Sequence, residues 1–216
     1  LIVLIAIFLT LNLTARQEDS IPESLPDSAR VAEIFIDTIW EPLEAPDINS
    51  PRAAILNFID NINRSHQILI EVHAQNIETP GILIADELKD KVKQTELFFA
   101  RATYCMDLSA FPPSLQKDLS YGRAIMLKEI FDRIELPPLN EIPDAVAVDL
   151  DFENNKHPKL EYWQIPNTEI ILVRTERGIL KGQYLFSAES VEKLPYFYKQ
   201  IKHLPYKTDT YISKDF

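Results

Sequence analysis

The spacing of apolar residues changes once along this chain, and this change constrains the fold more than any other feature of the sequence. Up to residue 138 the apolar residues recur at the spacing of an α-helix, in three segments separated by proline-containing stretches. From Tyr162 onward, short runs rich in aromatic and β-branched residues take over, and such runs are typical of strands. Helices first, then an antiparallel β region and a last helix, indicate the α+β class.

Three helices are predicted between residues 50 and 138. The first begins at Ser50 and Pro51, because a serine at the N-cap accepts an orphan backbone N–H and a proline at the first helical position needs no donor. It should end near residue 77, ahead of Gly81. The second should cover about 85–104, and the third should reach from 113 to 134. Their apolar stripes must be buried against one another, which predicts an antiparallel helical layer.

A small antiparallel sheet and a C-terminal helix are predicted after residue 139. The strands are expected at 162–165, 169–174 and 183–186, with a turn at 178–182. We expect Phe186 to be buried between this sheet and the final helix, and Ser187 to cap that helix. The polar stretch 149–159 is predicted to be a loop.

The organisation of the chain follows from these elements and from its N-terminal residues. Residues 1–15 are apolar but short for a membrane span, which needs roughly 20 residues. They fit the apolar region of a signal peptide, with a truncated membrane anchor and a buried core helix as the alternatives. Because the chain does not begin with Met, we expect a piece of a longer protein. The predicted segments that follow are an acidic proline-containing linker at 16–49, the helical region at 50–138, a small α+β region packed on it at 139–206, and a connector at 207–216.

Charge and glycine content exclude two classes of ligand. The net charge is −11, and no basic stripe with interleaved aromatic residues is present, so no nucleic-acid partner is expected. The four glycines are too widely spaced to build a P-loop or a dinucleotide-binding fingerprint. The single cysteine, Cys105, excludes an intrachain disulfide.

Metal-binding residues do not occur at familiar spacings. His66 and His73 could share one face of a helix, but no further ligand accompanies them, and His157 and His203 stand alone. The stretch 149–154 faintly resembles the start of a calcium loop. Asparagine occupies the position of its turn glycine, and leucine that of its bidentate carboxylate. No metal is therefore predicted.

Catalytic arrangements are equally weak. The pairs Ser114/Lys117 and Ser190/Lys193 match the serine–lysine spacing of penicillin-recognising enzymes, but the companion motifs of those enzymes are absent. Cys105 follows an apolar helix and is predicted to be a buried small hydrophobe and not a nucleophile. We predict a protein that is not an enzyme and that uses no cofactor.

A series of short segments between residues 40 and 206 occurs in the order seen in one known family. The segments are Ser50-Pro51-Arg52 with Asn57 to Asn63, Thr79-Pro80-Gly81, Tyr104 to Ser109, Leu127 to Ile134, Ile165 to Thr168, and Gly182 to Val191. Together they resemble the extramembrane N-terminal region of many bacterial, especially cyanobacterial, members of the small-conductance mechanosensitive channel family.

The resemblance implies an exported domain on the periplasmic or extracytoplasmic face of a bacterial membrane. In full-length relatives such a domain is followed by pore helices, whereas nothing after residue 15 of this chain is apolar enough to span a bilayer. The implied role is a non-catalytic accessory to channel assembly or gating. Self-association would occur through a membrane channel region not present in this chain, with the membrane nearby. The alternative is a secreted or periplasmic binding module for a peptide or cell-envelope ligand, presented by the helical layer.

Overall fold

The computed structural model describes residues 45–78 and 86–207. The expectations for 1–44, for Gly81 and for most of the connector lie outside these residues. Within them the chain forms helices followed by a three-stranded antiparallel sheet and a C-terminal helix. The predicted α+β class is confirmed.

Five α-helices are present in the described part of the chain. They are α1 (Pro51–Glu78), α2 (Asp86–Thr103), α3 (Pro113–Phe131), α4 (Ala145–Asn154) and α5 (Ala188–Ile201), with single 3-10 turns at Leu139–Glu141 and Lys159–Glu161. The first three match the three predicted helices, although α3 ends at Phe131, ahead of the predicted end at residue 134. No helix of the described ranges is long and apolar enough to cross a membrane.

Helices α1 and α2 lie antiparallel. Glu71 of α1 pairs with Lys91 of α2 at 3.3 Å. Further toward the start of α1, the Ser65 hydroxyl donates to the carbonyl of Thr95 at 3.3 Å. Earlier residues of α1 therefore contact later residues of α2, which is the antiparallel arrangement that the predicted helical layer requires.

The start of α1 is fixed by its cap and by a distant loop. The Ser50 hydroxyl accepts a hydrogen bond from the backbone N–H of Ala53 at 3.2 Å. The Arg52 side chain donates to the carbonyl of Ile142 at 2.9 Å and pairs with Asp144 at 3.1 Å. The first turn of α1 is thus tied to the segment that leads into α4.

The loop predicted at 149–159 was wrong, because α4 covers its first half. Asp144 is the N-cap of this helix, and its carboxylate accepts from the N–H of Ala147 at 2.9 Å. Only Val148 of α4 is buried, whereas Val146 and Leu150 are more than half exposed. The helix therefore lacks the one-sided apolar pattern that identifies helices in a sequence. The one signal in the sequence that could have indicated this helix was Asp144 at its N-cap.

The sheet has the strand order β1 (Tyr162–Gln164), β2 (Ile171–Arg174) and β3 (Tyr184–Phe186). The register places Leu172 between Trp163 and Phe186, and this row faces the helices. The β2–β3 turn needs Gly182, because its φ is 87° and a Cβ there would lie 3.2 Å from an Arg174 nitrogen. The turn predicted at 178–182 is present.

The sheet joins the helical layer through three phenyl rings. Phe186 is 1% exposed, and its ring lies 5.6 Å from that of Phe58 in α1 and 5.9 Å from that of Phe131 in α3. The rings of Phe58 and Phe131 lie 5.8 Å apart, edge to face. Phe186 is buried as expected, but its aromatic partners belong to α1 and α3 and not to the final helix. We call these three residues the aromatic junction.

Phe186→Ala should lower the free energy of unfolding by about 3–5 kcal/mol, because it removes one ring from a fully packed site. Ser187→Ala should cost about 1 kcal/mol, because the Ser187 hydroxyl accepts from the N–H of Ser190 at the start of α5. Urea denaturation measures both values. The control is Tyr196→Ala on α5, whose ring is largely exposed. A Phe186→Ala protein as stable as the control would contradict the junction.

Candidate functional sites

A cleft of about 560 Å³ lies on the outer face of the sheet, away from the helical layer. Its floor is apolar and is formed by Tyr162, Ile171, Val173 and Leu185. Tyr162, Val173 and Leu185 form one cross-strand row, and the first two are 63% and 39% exposed. Unlike the inner face, this face of the sheet presents apolar surface to solvent.

The rim of the cleft is acidic. Asp107, Glu161, Glu176 and Glu189 line it. Glu189 pairs with Lys193 at 2.7 Å, whereas Glu161 and Glu176 form no ion pair with the described residues. An acidic rim over an apolar floor favours ligands that combine positive charge with apolar groups.

One arginine also lines the cleft. The guanidinium carbon of Arg174 lies 4.1 Å from the centroid of the Phe152 ring, a cation–π contact that joins β2 to α4. Arg174 forms no ion pair with any described residue, and its buried Nε has no hydrogen-bond partner among them. This cation is held by the fold, and it offsets only part of the rim charge.

No backbone group of the described residues pairs with the outer edge of β1. The N–H of Ile165 donates to the carbonyl of Ile170, so these two residues form a hydrogen-bonded pair. Hydrogen-bonded and non-hydrogen-bonded pairs alternate along an antiparallel ladder, so Trp163 is the β1 residue whose backbone bonds to β2. The backbone groups of Tyr162 and Gln164 therefore point away from the sheet. The opposite edge is covered, since the N–H groups of β3 donate to the carbonyls of Ile48 and Cys105.

A second cluster binds the C-terminal segment to the end of α3. Arg133 and Glu129 form an almost fully buried ion pair at 2.6 Å. The Tyr206 hydroxyl donates to the Glu129 carboxylate at 3.1 Å, and the Arg133 guanidinium lies 3.9 Å from the centroid of the Tyr206 ring. Arg133 also donates to the carbonyl of Leu204 at 3.2 Å. We call Glu129, Arg133 and Tyr206 the C-terminal clamp.

A fully buried ion pair lies beside the clamp. The Lys128 ammonium contacts the two Asp132 oxygens at 2.6 and 2.7 Å, and neither side chain is exposed. Burial lowers the pKa of Lys128 and raises the pKa of Asp132, and the opposite charge of the partner counteracts each shift. The backbone carbonyl of Asp132 also accepts a hydrogen bond from the backbone N–H of Lys207 at 2.7 Å.

His66 lies in α1, is almost fully buried, and is influenced by the charge of Lys128. Burial, with a smaller contribution from Lys128, lowers the pKa of His66 to about 4. The other three histidines, His73, His157 and His203, are exposed. Within the described ranges, no group of three or more histidine, cysteine or carboxylate side chains could hold a metal ion.

Two of the sequence candidates for catalysis, Cys105 and the pair Ser190/Lys193, have structural roles. Cys105 is buried, and burial raises the pKa of its thiol to about 12, far from the reactive thiolate. The Ser190 hydroxyl accepts the N–H of Ile171 at 2.9 Å, while Lys193 pairs with Glu189 and Glu169. The stretch 149–154 lies in α4, so it does not form a calcium loop.

The structure does not bring the predicted structural residues into one site. Ser50 and Pro51 lie at the start of α1, Ser187 lies at the start of α5, and Phe186 lies in the core. Sequence reasoning missed both the cleft and the clamp. One signal for the clamp was available: two opposite-charge pairs, each four residues apart, interrupt the apolar run 127–134.

No family model, no curated protein and no solved structure matches this chain.

Asp132→Ala should lower the free energy of unfolding by about 3–5 kcal/mol, because it removes the carboxylate that compensates the charge of the fully buried Lys128 ammonium. The double variant Lys128→Met/Asp132→Leu should recover most of this loss, since it removes both charges. Urea denaturation measures both. Asp90→Ala, which breaks the exposed pair with Lys93, is the control and should cost under about 1 kcal/mol. Equal losses in the single and double variants would contradict a charge-burial origin.

His66 should make the fold less stable as the pH falls. The pKa of about 4 in the folded chain lies below the ordinary value of 6.5, so between these pH values the unfolded chain binds a proton that the folded chain does not. Between about pH 7.5 and about pH 4.5 this residue alone should remove about 2–3 kcal/mol. His66→Gln should show a correspondingly smaller loss in urea titrations at the two pH values. His73→Gln, at an exposed histidine, should retain the wild-type pH dependence, and identical behaviour of both variants would refute the assignment.

Proposed function

We propose that this chain is a non-catalytic extracytoplasmic domain of a mechanosensitive channel subunit, acting in assembly or gating. The resemblance of the segments between residues 40 and 206 supplies the family. The C-terminal clamp is the structural observation that supports a mechanical role. A domain with this role has to be attached rigidly to the segment through which it acts.

The clamp provides such an attachment at three points. The carbonyl of Leu204, the hydroxyl of Tyr206 and the N–H of Lys207 all bond to residues 129–133. The same range contains Phe131, the member of the aromatic junction in α3. A displacement of the C-terminal segment would therefore be transmitted to the helical layer through these contacts and not be taken up by a flexible linker.

A domain attached in this way can bias gating only if its contacts differ between the closed and open states of a channel. Channel opening under tension is a shift between two such populations. A rigid connection fixes the position of the domain relative to the pore segments, and movement of those segments then changes what the domain contacts. The proposal requires no chemistry from the domain, in keeping with the structural roles of Cys105 and Ser190.

A second candidate function is a secreted or periplasmic binding module for a peptide or cell-envelope ligand. The acid-rimmed cleft favours it, because exposed apolar floor residues and unpaired carboxylates occur together there. The binding groove was expected on the helical layer, whereas the cleft lies on the outer face of the sheet. The two functions are compatible in one domain.

The reading frame that contains this sequence should continue into apolar segments of about 20 residues each, long enough to form pore helices. Sequencing the gene and its transcript on both sides tests this expectation. A stop codon directly after Phe216 would contradict the channel proposal, and the binding module would then be the remaining candidate function.

Tyr206→Ala tests the mechanical role in that full-length subunit. It removes the hydroxyl bond to Glu129 and the ring contact with Arg133, so hydrogen exchange of the Lys207 amide should accelerate by about tenfold or more. The tension threshold of single channels in membrane patches should shift, and conductance should stay constant because the pore is untouched. Tyr196→Ala is the control. An unchanged threshold in a variant with a released Lys207 amide would contradict the role of the clamp.

A further inference from the structure

We propose that the outer-face cleft binds a basic, extended peptide segment, which adds to the free edge of β1 as a fourth strand. This inference rests on the second candidate function and specifies its ligand, and it does not depend on the channel role. It rests on the exposed strand edge, the apolar floor and the charge of the rim.

The strand edge supplies the backbone contacts. Tyr162 and Gln164 direct their N–H and C=O groups away from β2, and both residues are exposed. A peptide in extended conformation can pair with those groups, as in other cases of strand addition to a sheet edge. Edges of this kind are commonly blocked by a covering segment, and here such a cover lies along β3 only, among the described residues.

The floor supplies a place for an apolar side chain of the peptide. Alternate side chains of an added strand point to the same face as the row of Tyr162, Val173 and Leu185. Tyr162 and Val173 are the exposed members of this row, and Tyr162 is next to the free edge. A β-branched or aromatic side chain of the peptide would cover the Tyr162 ring on the cleft side.

The rim selects the charge of the peptide. Glu161 directly precedes β1, Glu176 follows β2, and neither forms an ion pair with the described residues. Because β1 and β2 are antiparallel with Tyr162 opposite Val173, both carboxylates lie at the same end of this strand pair. Lysine or arginine side chains of the peptide would meet them at that end of the floor, while an acidic peptide would be repelled. A second copy of this chain is disfavoured as the occupant, because it would bring the same carboxylates toward each other.

Fluorescence anisotropy with a defined probe tests the proposal. The probe is a fluorescein-labelled octapeptide of alternating lysine and valine, acetylated and amidated at its ends so that it carries no terminal charges. It should bind with a Kd below about 1 mM at low salt, and more weakly at about 0.15 M salt because the rim is exposed. Alternating glutamate and valine, in an otherwise identical peptide, should bind at least about tenfold more weakly.

Charge variants separate the rim from the overall acidity of the protein. Glu161→Gln/Glu176→Gln should weaken binding by about fivefold or more. The control Glu96→Gln/Asp118→Asn makes the same change in net charge at exposed positions of α2 and α3. It should leave the Kd within about twofold, since neither position lines the cleft.

A backbone variant tests strand addition itself. Gln164→Pro removes an outward-facing N–H without removing a hydrogen bond of the β1–β2 ladder. It should weaken binding, whereas Gln164→Thr, which keeps the N–H, should not. Circular dichroism and urea denaturation establish that both variants are folded. If Gln164→Pro is unfolded, a probe with N-methylated valines replaces it and should bind more weakly than the parent probe.

Four results would overturn the proposal. They are the absence of binding by the lysine–valine probe, equal weakening by the rim and control charge variants, no effect of either backbone change, and concentration-dependent dimerisation in sedimentation that Gln164→Pro abolishes. The last would make a second copy the occupant of the edge. Each of these results leaves the channel proposal standing, because that proposal rests on the reading frame and the clamp.

Discussion

The contact between Phe58, Phe131 and Phe186 is the interaction on which the rest of this structure depends. One ring comes from the first helix, one from the third and one from the last strand, so a single cluster unites the helical layer with the sheet. Edge-to-face packing of rings stabilises beyond the area that it buries. The chain segments that carry these rings are far apart in sequence, and their meeting fixes which face of the sheet is buried. The outer face is left to form the cleft.

Charge is concentrated immediately beside this apolar contact. Lys128 in α3 and Asp132, the C-cap of this helix, lie on either side of Phe131 in the sequence, and their ion pair is fully buried. Such a pair adds little net stability, because desolvation of two charges offsets their attraction. The two residues are required together, since removing either charge leaves the other in a fully buried position without compensation. Glu129 and Arg133 of the clamp lie in the same short segment at the end of α3, so the position of the C-terminal segment depends on how the core is packed.

Sequence reasoning succeeded where a signal was local. Ser50 before a proline and Ser187 before a helical pattern indicated helix starts, and both hydroxyls accept the backbone N–H groups expected of caps. It failed at α4, whose exposed Val146 and Leu150 hide the helical period. It also did not predict the ring contacts of Phe186 with Phe58 and Phe131, since the sequence shows that an aromatic residue will be buried but not which rings will meet it.

The sequence by itself determined the α+β class, four of the five described helices and the order in which the predicted elements occur, because periodicity and capping act between residues a few positions apart. Only the tertiary structure decided the cleft and the clamp. The cleft joins Glu161 to Glu189, and the clamp joins Glu129 to Tyr206. No local pattern encodes such pairings. They follow from the strand register and from the packing of the aromatic junction, which depend on contacts between distant segments taken together.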